Sequence, residues 1–237
     1  MDTYNINFCF PIPGAIENER VRLRPFIPSK HAENFIKQAT QYPEIFDYLP
    51  FGPFSSVEDF IDNLVEVRIH KDPGYILLAV FDKTKSTSDA PDGAFAGLMG
   101  LINTSPINLA TEVGCIMILP PFQRTHISSN AVGLLLHYAL DLPSAGGLGL
   151  RRVFWQANSL NTKSIRLAER MGLKLEGILR WDRVLPANKD AGNGRGVREG
   201  DPRAGCLGRD TAMLGICWDD WEEGGREHVD KVMARTR

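Results

Sequence analysis

The 237-residue chain has no apolar run approaching the ~20 residues that a membrane-spanning helix needs. It also lacks a charge excess: 27 Lys and Arg stand against 29 Asp and Glu, a formal net charge of −2. That balance gives no global pull toward nucleic acid or an anionic membrane, and neither is expected as a partner. Cysteine is sparse, and Cys9, Cys115, Cys206 and Cys217 form no CxxC pair. Such scatter does not suit zinc, so no metal is expected, and it fits reduced thiols in a cytoplasmic protein. Met1-Asp2-Thr3-Tyr4-Asn5 carries an acid where an export signal has Lys or Arg, and no apolar core comes before Pro11 and Pro13; no signal peptide is expected. Absent too are a GxGxxG motif after a strand, a Walker pattern and an internal repeat.

The chain does have a globular composition, 43% hydrophobic and 24% charged, able to bury a core in one domain. The stretch from Ala110 to Leu142 organises it. Thr111 to Leu119 is short, apolar and rich in β-branched residues, the pattern of a central strand, which Pro120 and Pro121 end. From Thr125 the apolar residues Ile127, Ala131, Leu134, Leu135, Tyr138, Ala139 and Leu142 keep the spacing of one helical face. The junction, Gln123 to Asn130, is basic and hydroxyl-rich, and unpaired N–H groups at a helix start favour a phosphate there. An ordinary polar cap between a strand and a helix accounts for the same residues.

Along the rest of the chain, residues 1–18 read as an irregular arm, and Arg20 to Phe26 alternates as a half-exposed strand. A helix runs from Pro28 to about Gln41. Tyr42 to Pro53, aromatic and proline-rich, either packs irregularly or walls a substrate pocket with some of its rings. Ser55 and Glu58 offer a capping box for a second helix. Tyr75 to Phe81 and Gly93 to Ile102 are strands joined by an exposed connection, and Arg152 to Ala157 is another strand. Asn158 to Asn161 caps a helix stopped by Gly172, and Leu173 to Arg180 and Thr211 to Cys217 close the set of strands. Pro186 to Gly208, glycine-rich with mixed charges, reads as a mobile insertion that buries no core. Residues 223–237 read as a polar helical tail. The layout is mixed α/β (α+β) without strict βαβ alternation, which disfavours a doubly wound fold.

The strand entering Pro120-Pro121-Phe122-Gln123-Arg124, the run Asn158 to Ser164, the helix end Ala168 to Leu173 and the closing Trp218-Asp219-Asp220-Trp221 together resemble the GNAT superfamily of N-acetyltransferases, closest to its RimJ/RimL branch of ribosomal-protein acetyltransferases. The resemblance covers about residues 19–222. It implies a central mixed, mostly antiparallel sheet flanked by helices, acetyl-CoA as donor, and an amine acceptor such as a protein N-terminus or a small molecule. The protein would act as a monomer or homodimer, by direct attack of the amine on the thioester.

The resemblance also assigns residues. The pantetheine arm would pair along Cys115 to Leu119, with Met117 and Ile118 as contacts, and the pyrophosphate would lie on Gln123, Arg124, Thr125, His126, Ile127, Ser128 and Ser129. His126 stands where the family's loop has its first glycine, so its imidazole must point away or make a contact of its own. Asn161 would cap its helix and touch the CoA arm. Glu112 is the candidate base, or else a solvated strand-end carboxylate; Ser164 is the candidate acid, or else a first-turn helix serine. The tyrosine common in the family falls near Ala168 and is missing. A rival reading is therefore a GNAT-fold protein that binds CoA or a partner without transferring acetyl, and a nucleotide-binding protein of another fold stands third.

Overall fold

The computed structural model describes residues 4–235. The start of the expected arm, with most of the leader stretch, and the last two residues of the expected tail lie outside the described residues. Among the described residues eight strands form one sheet: β1 (Ile16–Glu17), β2 (Val21–Pro25), β3 (Ile76–Asp82), β4 (Ala94–Ser105), β5 (Ala110–Ile118), β6 (Arg152–Asn158), β7 (Lys174–Val184) and β8 (Gly208–Cys217). Their order is β1-β2-β3-β4-β5-β6-β8-β7. Every neighbouring pair is antiparallel except β5 with β6. Flanking it are α1 (Pro28–Ala39), α2 (Val57–Phe60, continuing as a π-helix over Ile61–His70), α3 (His126–Leu140), α4 (Thr162–Arg170), the short α5 (Trp218–Asp220) and α6 (Arg226–Met233). This is the mixed, mostly antiparallel architecture expected from the sequence.

Differences lie where local pattern meets tertiary packing. Ser56, not Ser55, caps α2, accepting from the Asp59 N–H at 3.1 Å, while the Asp59 carboxylate reaches back to the Ser55 N–H at 2.7 Å. The motif is shifted by one residue because aspartate is short enough to close it there. The arm is not wholly irregular, since Ile16 pairs with Leu23 as an edge strand. The helix α3 is buried almost all round rather than on one face, because α6 covers its outer side. Gly133 marks that approach: a Cβ there would meet the Met233 sulfur at 2.2 Å. The tail is thus structural, with Trp221, Val229 and Val232 in the core.

Tyr42 to Pro53 divides between packing in the core and lining a cleft. Phe46 joins Phe35, Phe54 and Phe60 in a buried ring cluster with centroids 5.2 to 6.3 Å apart, an arrangement of edge-to-face and tilted contacts. Tyr48, Leu49 and Phe51 face a cleft instead. The insertion departs furthest from expectation. Residues 194–207 are largely exposed, but 186–193 dock: Lys189 is buried and its ammonium donates to the Phe46 carbonyl at 2.7 Å. Asn158 Nδ2 donates to the Ala191 carbonyl at 2.8 Å. Polar hydrogen bonds, not an apolar core, hold this segment, which is why hydrophobic periodicity gives no sign of it.

Candidate active site

The parallel pair β5–β6 holds for only three residues, Ala110↔Arg152, Thr111↔Val153 and Glu112↔Phe154. Beyond Glu112 the two strands part, leaving a wedge whose inner edges carry main-chain groups not paired across it. On the far side of β5, Leu98 pairs Met117 and Gly100 pairs Gly114, so Cys115 and Ile116 together oppose Met99 as a bulge. Cys115 takes φ 50°, a left-handed conformation that a non-glycine residue holds only under tertiary constraint. A bulge of this kind re-aims the strand backbone. The wedge opens into a cleft of about 1400 Å³ lined along β5 by Glu112 to Ile118 and along β6 by Trp155 to Asn158.

Glu112 closes the apex. It is buried, with Asn103 Nδ2 donating to its Oε2 at 2.6 Å and the Gln156 main-chain N–H to its carboxylate. Tyr75 Oη in turn donates to Asn103 Oδ1 at 2.5 Å. Gly114 keeps the space open: a Cβ there would lie 3.3 Å from Glu112 Oε1 and 2.5 Å from Ile102 Cδ1. Burial pushes the Glu112 carboxyl up to about 7, against the opposing pull of the Asn103 hydrogen bond and of Arg183 and Arg209. The solvated strand-end alternative for Glu112 therefore does not describe it. A carboxyl poised there exchanges a proton near neutral pH. Cys115 is buried too, and burial pushes its thiol up to about 12, so it offers no thiolate nucleophile at working pH.

At the other limit of β5 the chain turns through Pro120–Phe122 into α3. Thr125 caps α3, accepting from the Ile127 N–H at 3.3 Å and donating to the Phe122 carbonyl at 2.6 Å. Arg124, at φ 59°, makes the bend. Met117, Ile118, Gln123, Arg124, Thr125, His126, Ser128 and Ser129 all line the cleft. Ile127 does not: its side chain is fully buried and its N–H is the one Thr125 takes, because helical periodicity turns that position to the core. Gln123 spends its amide Nε2 on the Ile118 carbonyl, 2.8 Å away, and so fixes the strand end. His126 resolves the problem of the missing glycine by turning its imidazole toward the buried Asp82, with Nε2 3.2 Å from Oδ1. The geometry does not make a hydrogen bond, and His126 remains among the residues lining the cleft.

On α4, Asn161 caps the helix through the Ser164 N–H at 3.1 Å and lines the cleft. Ser164 accepts from Trp155 Nε1 at 2.9 Å, which leaves its own hydroxyl hydrogen available toward the cleft that it also lines. Ala168, at the position of the missing tyrosine, is fully buried. Sequence patterns do not single out Asn103, Tyr75, Arg183 and Arg209, which surround Glu112 from three other strands and one turn; none lies in a motif. Lys85, Arg124, Lys163, Arg166 and Arg170, the last at the far end of α4, also line the cleft, a set of cations suited to a phosphorylated ligand.

A family model for the acetyltransferase (GNAT) domain matches residues 20–174. No curated protein matches the chain. A solved GCN5-related N-acetyltransferase from Brucella melitensis is 26% identical, with a TM-score of 0.73 over 94% of this chain and 87% of that one. A spermidine N-acetyltransferase from Vibrio cholerae in complex with CoA and spermine is 19% identical, with a TM-score of 0.60 over 86% of this chain and 99% of its own. RimL, a ribosomal L7/L12 alpha-N-protein acetyltransferase, is 20% identical, with a TM-score of 0.62 over 86% and 93%. The split parallel pair, the bulged strand and the helix start beyond it are thus set in a chain that belongs to the GNAT acetyltransferase family.

Proposed function

We propose that this protein is a cytoplasmic N-acetyltransferase of the RimJ/RimL type that moves an acetyl group from acetyl-CoA to a primary amine by direct attack. The observation that carries the reading is the Glu112 carboxyl, tuned to about 7 at the apex of the β5–β6 wedge. The diphosphate lies on the N–H groups of the α3 start, over Arg124 to Ser129, and the pantetheine arm runs along β5 down the wedge. Glu112 takes a proton from the acceptor ammonium. The neutral nitrogen adds to the thioester carbonyl, the β5 backbone holds the oxyanion, and collapse expels the CoA thiolate while the nitrogen's second proton passes to solvent, as the one on Glu112 does between turnovers. Ser164 stands where it can protonate the departing sulfur. A covalent acetyl-cysteine route is disfavoured by the protonated, buried Cys115 thiol.

The rival, a binder without transfer, rests on His126 in the glycine's place and on Ala168 in the tyrosine's; the turn of the imidazole toward Asp82 argues against the first ground, and the second stands. Thiol release from acetyl-CoA, measured against a panel of primary amines and peptide N-termini, tests the proposal. Amine-dependent release is expected, and binding of acetyl-CoA without release from any amine would favour the rival.

A further inference from the structure

On the acceptor side of the cleft two guanidinium groups stand together with too little to balance them. Arg183 on β7 and Arg209 on β8 are direct cross-strand partners. Gln156 pairs with Met213 on β8, and Arg209, four residues before Met213, shares its face; Gln156 lies two residues beyond Phe154, the partner of Glu112. Strand alternation therefore aims Glu112, Gln156, Arg209 and Arg183 at one side of the sheet, and all four line the cleft. Arg183 donates to Gln156 Oε1 at 2.7 Å and lies 3.2 Å from Asp182 Oδ2. Arg209 is 4% exposed, and its Nε is buried with no hydrogen-bond partner.

A buried guanidinium with an unused donor beside a second guanidinium is costly unless something anionic meets it. The carboxylates that bear on Arg209 are Asp182 and Glu112, and burial with the Arg183 charge outweighs them, drawing Arg209 down to about 10. Asp182 is already shared with Thr211 Oγ1 at 2.7 Å. Glu112 loses its charge each time it accepts the substrate proton. The third cation on this side, Arg68, lies over the Phe51 ring at 5.6 Å. The arrangement repels a polycation and leaves an anion's place open a few ångströms from the base.

We infer that the acceptor is an amine that also bears a carboxylate, held by Arg183 and Arg209 while Glu112 takes the proton from its nitrogen. This rests on the transferase reading above. The carboxylate comes either from a free amino acid or from an acidic residue next to a peptide N-terminus. Bidentate pairing with guanidinium is specific for a planar anion, and a site with unpaired buried donors discriminates strongly against a ligand that leaves them unmet.

The test compares matched acceptors with similar amine basicity: 5-aminopentanoate against its carboxamide, and a Ser-Glu against a Ser-Gln peptide, both amidated at the C-terminus. In the parent, kcat/KM for the carboxylate member of at least one pair should exceed its neutral partner by about tenfold or more. In Arg209→Met and in the more exposed Arg183→Gln that ratio should fall to within about twofold, the second variant guarding against misfolding of the first. Which pair discriminates identifies the source of the carboxylate. Equal rates within both pairs, or a preference for spermidine, would overturn the inference while leaving transfer intact. A readout free of turnover separates the two claims: calorimetric binding of N-acetyl-5-aminopentanoate against its carboxamide. Arg209-dependent binding of the acid without any acetyl transfer would sink the transferase and keep the anion site; no difference in binding would sink the anion site.

Discussion

The two sides of the cleft are built by different means. The side proposed for the donor is continuous in sequence: one strand, one tight turn and one helix start, residues 110–130, supply the wedge edge, the bend and the cap. The side proposed for the acceptor is assembled from Asn103, Glu112, Arg183 and Arg209 on four strands, together with the aromatic segment of residues 42–53. That segment is itself pinned by Lys189 from the distant insertion. A cofactor-binding surface made of backbone groups needs only local chain geometry. A surface that selects an acceptor needs side chains at particular places, and these come from wherever the fold has strands to spare. Changes on one side should therefore leave the other nearly untouched.

The largest expected effect comes from Glu112→Gln, which keeps the shape but cannot accept a proton. Turnover at neutral pH should fall by ~10²-fold or more with acetyl-CoA affinity little changed, and activity should partly return at high pH, where solvent already deprotonates the amine. In the parent, activity should rise with pH through about 7 as the carboxyl ionises. Stability should run the other way. The folded carboxyl is raised above its unfolded value, so its contribution is full below about pH 4.5 and is lost as pH climbs through about 7. Thermal melts should accordingly find Glu112→Gln more stable than the parent at pH 8, by up to about 3 kcal/mol, with the gap closing by pH 5. An unchanged pH–rate profile in the variant would place the base elsewhere.

Next in size is Ser128→Glu, which breaks the donor side alone. A like charge at the α3 start should weaken acetyl-CoA by about tenfold to a hundredfold in calorimetry. The acceptor KM, measured at saturating acetyl-CoA, should hardly move. Unaltered acetyl-CoA affinity would mean that the diphosphate does not lie there.

How much of this is legible in the chain divides in the same way. The strand and helix that follow Ala110, the Asn161 cap and the place of Glu112 near a strand start are local patterns and stand where periodicity and capping chemistry put them, except that the helix ends at Leu140 and Leu142, counted on its apolar face, is 55% exposed beyond it. Arg183 and Arg209 give no such signal. Both lie outside the strands that the sequence pattern marks, Leu173 to Arg180 and Thr211 to Cys217, and only the longer β7 and β8 of the fold set them side by side. Nor does composition separate the docked 186–193 from the exposed remainder, because scattered polar contacts carry the docking: Lys189 to the Phe46 carbonyl, Asn158 to the Ala191 carbonyl, and Asn193 to Asp210 and to the Gly208 carbonyl. His126 is readable as a misfit in the phosphate loop. Its escape toward Asp82 depends on β3 lying across from α3, which is tertiary information.

A smaller effect tests the link between the insertion and the acceptor side. Lys189→Met leaves the Phe46 carbonyl without its buried donor and should cost about 1–2 kcal/mol in chemical denaturation. It should also raise the acceptor KM severalfold as the wall from Tyr48 to Phe51 loosens, with acetyl-CoA affinity unaffected. Replacing the exposed 194–207 with a short Gly-Ser link should do none of this. If both changes are silent, the docked segment does not support the wall.

The smallest expected effect belongs to Ser164, where the two sides meet. Its hydroxyl oxygen is taken by Trp155 Nε1 at 2.9 Å, so its hydrogen has no call on it from the indole and can pass to a sulfur leaving along the wedge. A thiolate is already a competent leaving group, so assistance is worth only about threefold to tenfold in kcat, far below the contribution of a base that must neutralise an ammonium. Ser164→Ala removes that proton and also strands the buried Trp155 N–H, which should cost about 1 kcal/mol or more of stability. The two losses separate the roles. A fall in kcat with an unchanged acceptor KM marks an acid at the leaving sulfur. A lower melting temperature with kcat intact marks a serine that serves only the tryptophan. Ser164→Thr keeps a hydroxyl for both duties and should restore whichever property alanine had lost.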